Sequence, residues 1–597
     1  MQFFQEKFNF FLAIVEPIWY SVSMAHLYKK KIKGRTYWYL RETVREGKKV
    51  KVKWQKYLGT PDSILKRLKK AESSGMPLKI QSEEFGSVFI VNELEKMINT
   101  IGIVDSIVKP NPREKGPSVG EYFFYAWANR LIEPKSKNAI GEWYRKTAIS
   151  SIRKVCISDL TSAKYWEKWN RVSLKQIDAI QRAFFEKVWA TRKRSPKCLL
   201  FDTTNYYSYM SSSTKSELFE RGHNKDSKHH LRQIGLALVV DSDSKLPLFY
   251  REYKGNEHDS KVFNSIIDEM FGVLCGFNQE NAHMTVVFDK GMNSEDNIAF
   301  IDNHPQIHFI TSYSTYFAED LAKKDLKYFK PLNIEHNVRL KEKNQTEDLL
   351  LAYRTRVELW SKERVVVVTF NPRTHRKKLH TFRIKLEKVR QALLKFRQKY
   401  REQKPHWKDF KTIKGRYIKL CEKLHIGTQY YHLELTSDKK SISFRKNQYE
   451  IKKTESSFGR QIIVTDNINW STEEIVQASL DRWIIEKEFR DTKSSNHISV
   501  QPIYHWTDNK VRCHLLTCVI ALTMKRLLEL KVEPYLGHVT AEKIIDQMRT
   551  LDSLIVWEPG AKKPRWQLAE PTQFQKKVLK AFGYYIDDNW VLQPIKQ

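Results

Sequence analysis

The segment KCLLFDTT, residues 197–204, marks the point where helical periodicity gives way to strand-like runs. Its apolar run ends in Asp202, and LRQIGLALVVD and KLPLFYREYKG follow as two further strand-like runs with the turn-like SDS between them. HDSKVFNSIIDEMFGVLCGF has apolar residues at helical spacing, and MTVVFDKG is a fourth strand-like run that ends in Asp289. SEDNIAFIDNH and IHFITSY supply a second helix and a fifth strand. These patterns predict an α/β unit.

The order of these elements also predicts which strands are neighbours. Three antiparallel strands followed by helix-linked parallel strands are typical of an RNase H-like mixed sheet, in which the first and fourth strands are adjacent. This adjacency would bring Asp202 and Asp289 together. Two carboxylates a few ångströms apart repel unless they share a proton or a cation, and Mg²⁺ binds oxygen ligands of this kind. The pair is therefore a candidate for half of a metal site, whereas each Asp taken alone could simply cap a turn.

A third acidic candidate lies in SLDRWIIEKEFRDTK, which contains Glu486 and Glu488 and has helical periodicity. At about 100° per residue, Arg482, Glu486, either Phe489 or Arg490, and Lys493 fall along one stripe, and Glu488 lies about 200° from Glu486. We expect Glu488 to be an exposed residue with ordinary ion pairing. Glu486 is either a surface ion pair or the third acid of the metal site, and its position after the core strands favours the second interpretation.

The overall charge indicates the class of partner. Lys and Arg number 104 and Asp and Glu number 69, which gives a net charge of +35. This surplus predicts a polyanionic partner, and nucleic acid bound through its phosphates fits best, although charge alone does not distinguish DNA from RNA or from an anionic membrane. The six cysteines form no Cys-x-x-Cys pair or zinc-finger spacing, so a reduced cytosolic environment is expected.

Changes in pattern divide the chain into regions. We predict a leader of uncertain status at 1–23, a basic β-hairpin at 24–61, a helical DNA-binding region at 62–194, the first part of the core at 195–320, an inserted subdomain rich in β-strands and basic residues at 321–470, the second part of the core with the Glu486 helix at 471–530, and a helical region at 531–597. The leader is either an amphipathic helix or the product of a start codon assigned upstream of Met24. The hairpin and the inserted subdomain either bind DNA or are solvated charged surfaces.

Three segments together resemble a known family. LLFDTTNYYS, VVFDKGMNSEDN and RWIIEKEFRDTK are similar to segments of the DDE transposases of bacterial insertion sequences, in particular the group-four type, which has a β-rich insertion before its catalytic glutamate. The family signature is Tyr, two residues, Arg, three residues, Glu, six residues, Lys. Arg482, Glu486 and Lys493 match its spacing, whereas Ser479 occupies the position of the Tyr. The resemblance extends from about residue 28 to 560.

The resemblance implies a reaction and its cofactor. Asp202, Asp289 and Glu486 would be the catalytic residues and the ligands of two Mg²⁺ ions, for which Mn²⁺ would substitute. The enzyme would bind the terminal inverted repeats of its element, cleave the DNA and join the 3′-hydroxyl ends to target DNA. A nuclease that does not join strands and a non-catalytic DNA-binding protein are the alternatives, and the presence of all three acids argues against the second.

The resemblance also implies partners and a location. We expect double-stranded DNA as substrate, a homodimer in the DNA complex, no membrane association, and a bacterial cytoplasmic location at the nucleoid. Trp483 is either a DNA contact or a core residue. The candidate DNA-binding residues are Arg482, Lys493, Arg490, Trp483, Lys225 and Lys228.

Overall fold

The computed structural model describes most of the chain in two compact units. The central unit is Val172–Thr523, and the terminal unit combines Met1–Arg171 with Met524–Gln597. The predicted leader at 1–23 lies outside the described residues. Those residues are 24–32, 35–46, 49–72, 79–113, 115–191, 196–277, 283–315, 318–557 and 563–595.

The terminal unit begins with three antiparallel strands where a two-stranded hairpin was expected. The strands are β1 (Met24–Ile32), β2 (Arg35–Glu46) and β3 (Lys49–Gly59). The added strand β1 pairs with β2 through cross-strand contacts, in which Tyr28 lies opposite Tyr39 and the Arg41 guanidinium lies 3.6 Å from the centre of the Tyr28 ring. Aromatic and cation–π pairs of this kind stabilise neighbouring strands.

The rest of the N-terminal part is mainly helical. Ser118 caps one of its helices in a capping box with Glu121, and that helix buries Tyr122, Phe123 and Trp127. Short 3₁₀ turns lie at Lys137–Ala139 and Ile157–Asp159. The remaining elements are α1 (Pro61–Glu72), β4 (Lys79–Glu84), α2 (Gly86–Ile98), α3 (Thr100–Ile107), α4 (Val119–Ile132), α5 (Ile140–Lys146), α6 (Ile149–Ile152) and α7 (Ser162–Asn170).

The central unit is built on a nine-stranded sheet, which confirms the predicted mixed α/β architecture. Its strand order is β10-β11-β12-β15-β9-β8-β5-β6-β7; β8 is parallel to β5 and β9, and the other pairs are antiparallel. Its first elements are α8 (Leu174–Ala190), β5 (Cys198–Ser208), β6 (Arg232–Asp241), β7 (Pro247–Lys254), α9 (Asp259–Phe277), β8 (Met284–Phe288), α10 (Glu295–Asp302), β9 (Ile307–Tyr313), α11 (Glu319–Ala322), β10 (Lys330–Pro331), α12 (Glu335–Glu342), β11 (Leu351–Leu359) and β12 (Lys362–Phe370).

The remaining elements of the central unit include a long helix and the segment with the two glutamates. They are α13 (Pro372–Arg401), α14 (Phe410–Leu424), β13 (Tyr431–Leu435), β14 (Ile442–Lys446), α15 (Gln448–Ser457), β15 (Arg460–Thr465), α16 (Thr472–Leu480), α17 (Trp483–Lys493) and α18 (Asp508–Leu536), whose last residues belong to the terminal unit. Among the helices of the described residues, none combines the length and apolar character needed to cross a bilayer.

The C-terminal part contains four strands in addition to its helices, so the expectation of an all-helical region at 531–597 is not met. The elements are α19 (Ala541–Met548), β16 (Asp552–Trp557), β17 (Arg565–Leu568), α20 (Gln573–Ala581), β18 (Tyr584–Ile586) and β19 (Leu592–Pro594). Within that region, the segment TAEKIIDQMRTLDSLIV, residues 540–556, contains α19 followed by β16, which pairs with β4 from the N-terminal part. The pairing joins residues far apart in sequence, and helical periodicity does not reveal it.

Only part of the predicted insertion at 321–470 stands apart from the main sheet. Strands β10, β11, β12 and β15 extend that sheet, and the four consecutive valines of β12 are buried between its neighbours. The separate part, here called the inserted segment, is 372–458. It has its own core, formed around residues such as Phe382, Leu393 and Tyr417.

The inserted segment begins and ends at the hydrogen-bonded residues Asn371 and Gly459, here called the neck. The Asn371 N–H donates to the Gly459 carbonyl at 2.8 Å, so the two chain ends lie side by side. Gly459 has φ +74°, and a Cβ there would lie 2.6 Å from the Asn371 carbonyl oxygen. Both the backbone conformation and the close approach therefore require glycine.

Replacement of Gly459 by Ala is expected to lower the free energy of unfolding by about 1–3 kcal/mol, because it combines left-handed strain with a backbone clash. Gly415→Ala is the matched control: Gly415 lies within α14, and a Cβ there would have no neighbour within 4 Å. The control should be neutral or stabilising by up to about 1 kcal/mol, as expected for Ala in a helix interior. Urea unfolding of both variants measures the difference, and equal stabilities would contradict the structural role of the neck.

Candidate active site

Asp202 and Asp289 lie at the same level on adjacent parallel strands. Leu200 of β5 is paired with Val287 of β8, and two residues further along each strand are the two aspartates. Residues at equal positions on neighbouring strands point to the same face of a sheet, and the strands are about 4.8 Å apart. Strand β5 does not end at Asp202, as the sequence suggested, but continues to Ser208 because β6 pairs with it along its whole length. The predicted adjacency of the two acids therefore agrees with the register of the sheet.

The pKa of Asp202 also reflects its proximity to Asp289. The pKa of Asp202 is raised, first because burial removes its carboxyl group from water and also because Asp289 is negatively charged. The positive charges of Lys225 and Arg482 and the hydrogen bond from the Thr203 N–H act in the opposite direction. Asp289 accepts a hydrogen bond from the Lys290 N–H at 2.8 Å and caps the 3₁₀ turn that follows β8.

Helix α17 brings a cation to the acid pair. The Arg482 Nη1 atom donates to Asp289 Oδ1 at 3.1 Å, and Lys493 at the other end of the helix pairs with Asp226 at 2.9 Å. One turn after Arg482, Glu486 is exposed to solvent. The predicted stripe of Arg482, Glu486 and Lys493 thus follows one side of the helix.

The structure reverses the expected exposure of Glu488. This residue is only 7% exposed, because α17 packs against β5 and β6 with Ile484, Ile485 and Phe489 on its inner face. Glu488 lies on that inner face, opposite Glu486, and the prediction of an exposed Glu488 is wrong. Helical periodicity predicts the angle between the two glutamates but not which face of the helix packs on the sheet.

The predicted single helix is two helices. Ser471 caps α16 in a capping box with Glu474, and α16 ends at Leu480 before α17 begins at Trp483. Ser479, at the position of the Tyr in the family signature, is buried near the end of α16. It lines a cavity of about 380 Å³ together with residues that include Asn371, Lys378, Arg460 and Gln461.

The donor set fits a divalent cation in part. Asp202 and Asp289 supply two neighbouring carboxylates whose mutual repulsion a cation would relieve. Across the described parts of the chain, no three acidic, histidine or cysteine side chains are close enough to hold one metal ion. The structure therefore brings two of the three predicted ligands together, and the Glu486 carboxylate does not form a triad with them.

A hydrogen-bonded network that the sequence did not reveal lies beside Asp202. Asp259 accepts hydrogen bonds from Thr203 Oγ1 at 2.7 Å and from the Tyr253 hydroxyl at 2.6 Å, and it pairs with Lys225 at 3.1 Å. Burial would raise the pKa of Asp259, but the Lys225 charge and these hydrogen bonds outweigh it, so the pKa is lowered. Lys225 also donates to the Thr203 carbonyl at 2.7 Å. Asp259 holds Lys225 next to Asp202, a role that only the motif GNEHD, residues 255–259, could have suggested.

The other predicted DNA-binding residues remain at the surface. Trp483 is 51% exposed, which excludes the core interpretation, and the Lys245 ammonium lies 5.5 Å from its ring centre. Arg490 is exposed on α17. The Lys228 ammonium lies 3.8 Å from the centre of the Tyr207 ring.

A comparison with known protein families identifies the family of this chain. Residues 211–524, more than half of the chain, match the family model described as "Transposase DDE domain". The chain belongs to the DDE transposase family. The matched range of this transposase domain includes Asp289 and Glu486, whereas Asp202 lies nine residues before it.

The individual proteins compared with this DDE transposase show only distant similarity. No curated protein matches the sequence at a significant level. A piggyBac transposase synaptic complex with hairpin DNA is 8% identical with a TM-score of 0.36, covering 77% of this chain and 79% of that one. A Mos1 transposase paired-end complex with the left transposon end is 9% identical with a TM-score of 0.15, covering 40% and 74%.

The raised pKa of Asp202 has a consequence for the stability of this transposase. A carboxyl group whose pKa is higher in the folded than in the unfolded protein destabilises the fold once it ionises; the penalty is absent below pH of about 3.8 and grows as the pH rises through the folded pKa. Asp202→Asn is therefore expected to raise the melting temperature in EDTA at pH 7 by a few degrees, with a smaller gain at pH 4. Thermal unfolding at the two pH values measures this, and a lower melting temperature at pH 7 would contradict it.

Proposed function

We propose that this protein is the transposase of a bacterial insertion sequence of the group-four type. It binds the terminal inverted repeats of its element, cleaves the DNA by metal-dependent hydrolysis, and joins the 3′-hydroxyl ends to target DNA by a cut-and-paste route. The observation that carries the proposal is the proximity of Asp202, on β5, to Asp289, which directly follows the adjacent parallel strand β8, with Arg482 bound to Asp289, in a chain of the DDE transposase family.

The proposed catalytic core is RNase H-like. The strand order β7-β6-β5-β8-β9 supports this, because three antiparallel strands are followed by two strands parallel to the first of them. In this arrangement Asp202 lies on the central strand and Asp289 follows the neighbouring one. The inserted segment then separates these strands from the helix that carries Glu486 in the sequence.

In the proposed site, Asp202 and Asp289 would hold divalent metal ions together with Glu486, whose carboxylate does not form a triad with them in the described part of the chain. Such ions would lower the pKa of a bound water and stabilise negative charge on a 3′ oxygen. Arg482 orients the Asp289 carboxylate through its 3.1 Å contact. Asp259 holds Lys225, which supplies positive charge next to Asp202. This charge would offset the repulsion between the Asp202 carboxylate and a DNA phosphate.

The proposed DNA-binding surface surrounds these acids. Arg490, Lys493, Lys228 and Trp483 are candidate contacts, and the exposure of the Trp483 ring supports its inclusion. The β1–β3 sheet and the helices of 62–194 are proposed to recognise the terminal repeat. A homodimer would hold two element ends, and the protein would act at the nucleoid in the bacterial cytoplasm.

The test is a cleavage and joining assay with the terminal repeat that flanks the gene. An end-labelled duplex carrying that repeat and its flanking DNA should be cut at the repeat boundary with Mg²⁺ and remain intact in EDTA. A supercoiled target plasmid should then acquire the labelled end. Cleavage without joining would favour the nuclease alternative, and binding without cleavage in Mg²⁺ and Mn²⁺ would favour a non-catalytic DNA-binding protein.

A further inference from the structure

The inserted segment carries a large share of the positive charge of the protein. Residues 372–458 contain 25 Lys and Arg against 8 Asp and Glu, a surplus of 17 in a chain of net charge +35. Helix α13 alone contains 12 of these basic residues and one acid, Glu387. Its other face packs into the core of the segment through Phe382, Leu386 and Val389. The charge is therefore displayed on a helix whose orientation is fixed by packing.

Four of the cations form a straight line on the outer face of α13. Arg373, Lys377, Lys388 and Lys395 are all exposed and fall within about 60° of one another at 100° per residue. We call these four residues the basic row. From Arg373 to Lys395 the row extends about 33 Å at 1.5 Å per residue. The row thus has the length of about one turn of duplex DNA, at 3.4 Å per base pair.

The basic row has no counter-charges among the described residues. No residue of the described chain forms an ion pair with any of its four cations. Three arginines that lie off the row are each paired, in the pairs Arg376–Asp348, Arg383–Glu455 and Arg390–Glu387. A surface charge that the protein does not neutralise is available to an external anion.

The topology places the base of α13 at the edge of the sheet that carries the acid pair. Strand β12 is antiparallel to β15, and β15 is antiparallel to β9, so β12 runs in the same direction as β9 and β8. Phe370 at the end of β12 and Asp289 after the end of β8 therefore lie at the same edge. Three strand spacings, roughly 14 Å, separate β12 from β8.

We propose that the basic row binds the phosphate backbone of duplex DNA over about one helical turn, independently of base sequence. Cations spread along one face of a helix suit phosphates on the facing side of a duplex, and they make no demand on the bases. The proposal rests on the proposed function only in taking DNA as the substrate. It assigns the inserted segment a second contact with that DNA, separate from the residues around Asp202 and Asp289.

The test compares two pairs of substitutions with the same change in charge. Lys388→Ala with Lys395→Ala removes half of the basic row, and Lys341→Ala with Lys343→Ala is the matched control at exposed positions outside the inserted segment. Binding to a fluorescent 30-base-pair duplex without the repeat sequence is measured by anisotropy in EDTA, over a series of KCl concentrations. Circular dichroism verifies that α13 is retained.

The row variant is expected to bind about tenfold more weakly at low salt. Its slope of log affinity against log salt should be reduced by about 1.8, because each lost phosphate contact removes about 0.9. The control pair should leave the slope unchanged. An unchanged slope in the row variant, or equal losses in the two pairs, would overturn the proposal.

Catalysis is kept separate from this binding test. EDTA excludes metal-dependent chemistry, so the slope reports binding alone. A chain that does not cleave DNA but shows the row-dependent slope would contradict the proposed function and support the basic row. A change in sedimentation of the row variant with no change in DNA affinity would instead indicate contact between protein copies and would overturn the proposal.

Discussion

Glu486→Gln is expected to reduce metal-dependent DNA cleavage on the order of 1,000-fold while the free energy of unfolding changes by less than about 0.5 kcal/mol. Glu486 is exposed, so the fold does not depend on its charge, whereas the proposed metal site does. Cleavage of the terminal-repeat duplex and urea unfolding are measured on the same preparation. Cleavage at the wild-type rate would remove Glu486 from the site.

Glu488→Gln is the matched control for that experiment, and the opposite result is expected. Glu488 is 7% exposed on the inner face of α17, so its replacement disturbs a buried polar contact and should lower the free energy of unfolding by about 1–3 kcal/mol. Cleavage measured well below the melting temperature should remain within about threefold of wild type. A selective loss of cleavage in Glu488→Gln would exchange the roles assigned to the two glutamates.

Asp289→Asn is expected to have an equally large effect on cleavage, on the order of 1,000-fold or about 4 kcal/mol in the activation free energy. The substitution removes one of the two carboxylates that the sheet holds side by side and leaves Arg482 without its charged partner. DNA affinity should be retained or increased, because a negative charge is removed from a surface that faces phosphates. Single-turnover cleavage and anisotropy binding separate the two effects.

Asp296→Asn serves as the control for Asp289. Asp296 is exposed in the first turn of α10, seven residues further along the same connection, and carries the same charge. Its substitution should cost at most about 1 kcal/mol of stability through the helix dipole and should not affect cleavage. Similar losses of cleavage in the two variants would show that general charge, and not the acid pair, controls the reaction.

The proximity of Asp202 and Asp289 followed from the sequence because it depends on local patterns. Apolar runs of strand length, separated by helical periodicity, determine an order of elements that permits few sheet topologies. The capping box of Ser471 and Glu474 is a feature of the same local kind, since a serine with a glutamate three residues later is its signal. Such features are encoded within a few residues of one another.

The features that sequence reasoning missed depend on contacts between distant residues. The burial of Glu488 depends on which face of α17 docks on β5 and β6, and periodicity is the same for either choice. Strand β12 joins the main sheet by pairing with β15, which lies beyond the whole inserted segment. The Asp259–Lys225 pair likewise connects two loops that approach each other only in the folded sheet.

The neck between Asn371 and Gly459 has a consequence for the connectivity of the main sheet. The two ends of the 87-residue inserted segment meet at a backbone hydrogen bond. For the main sheet, the connection between β12 and β15 is therefore equivalent to that of a hairpin. The entropic cost of closing so long a loop is offset within the inserted segment, whose own core orders it. A two-residue turn between β12 and β15 would therefore close the same pair of strands without the inserted segment and without changing the register of the sheet.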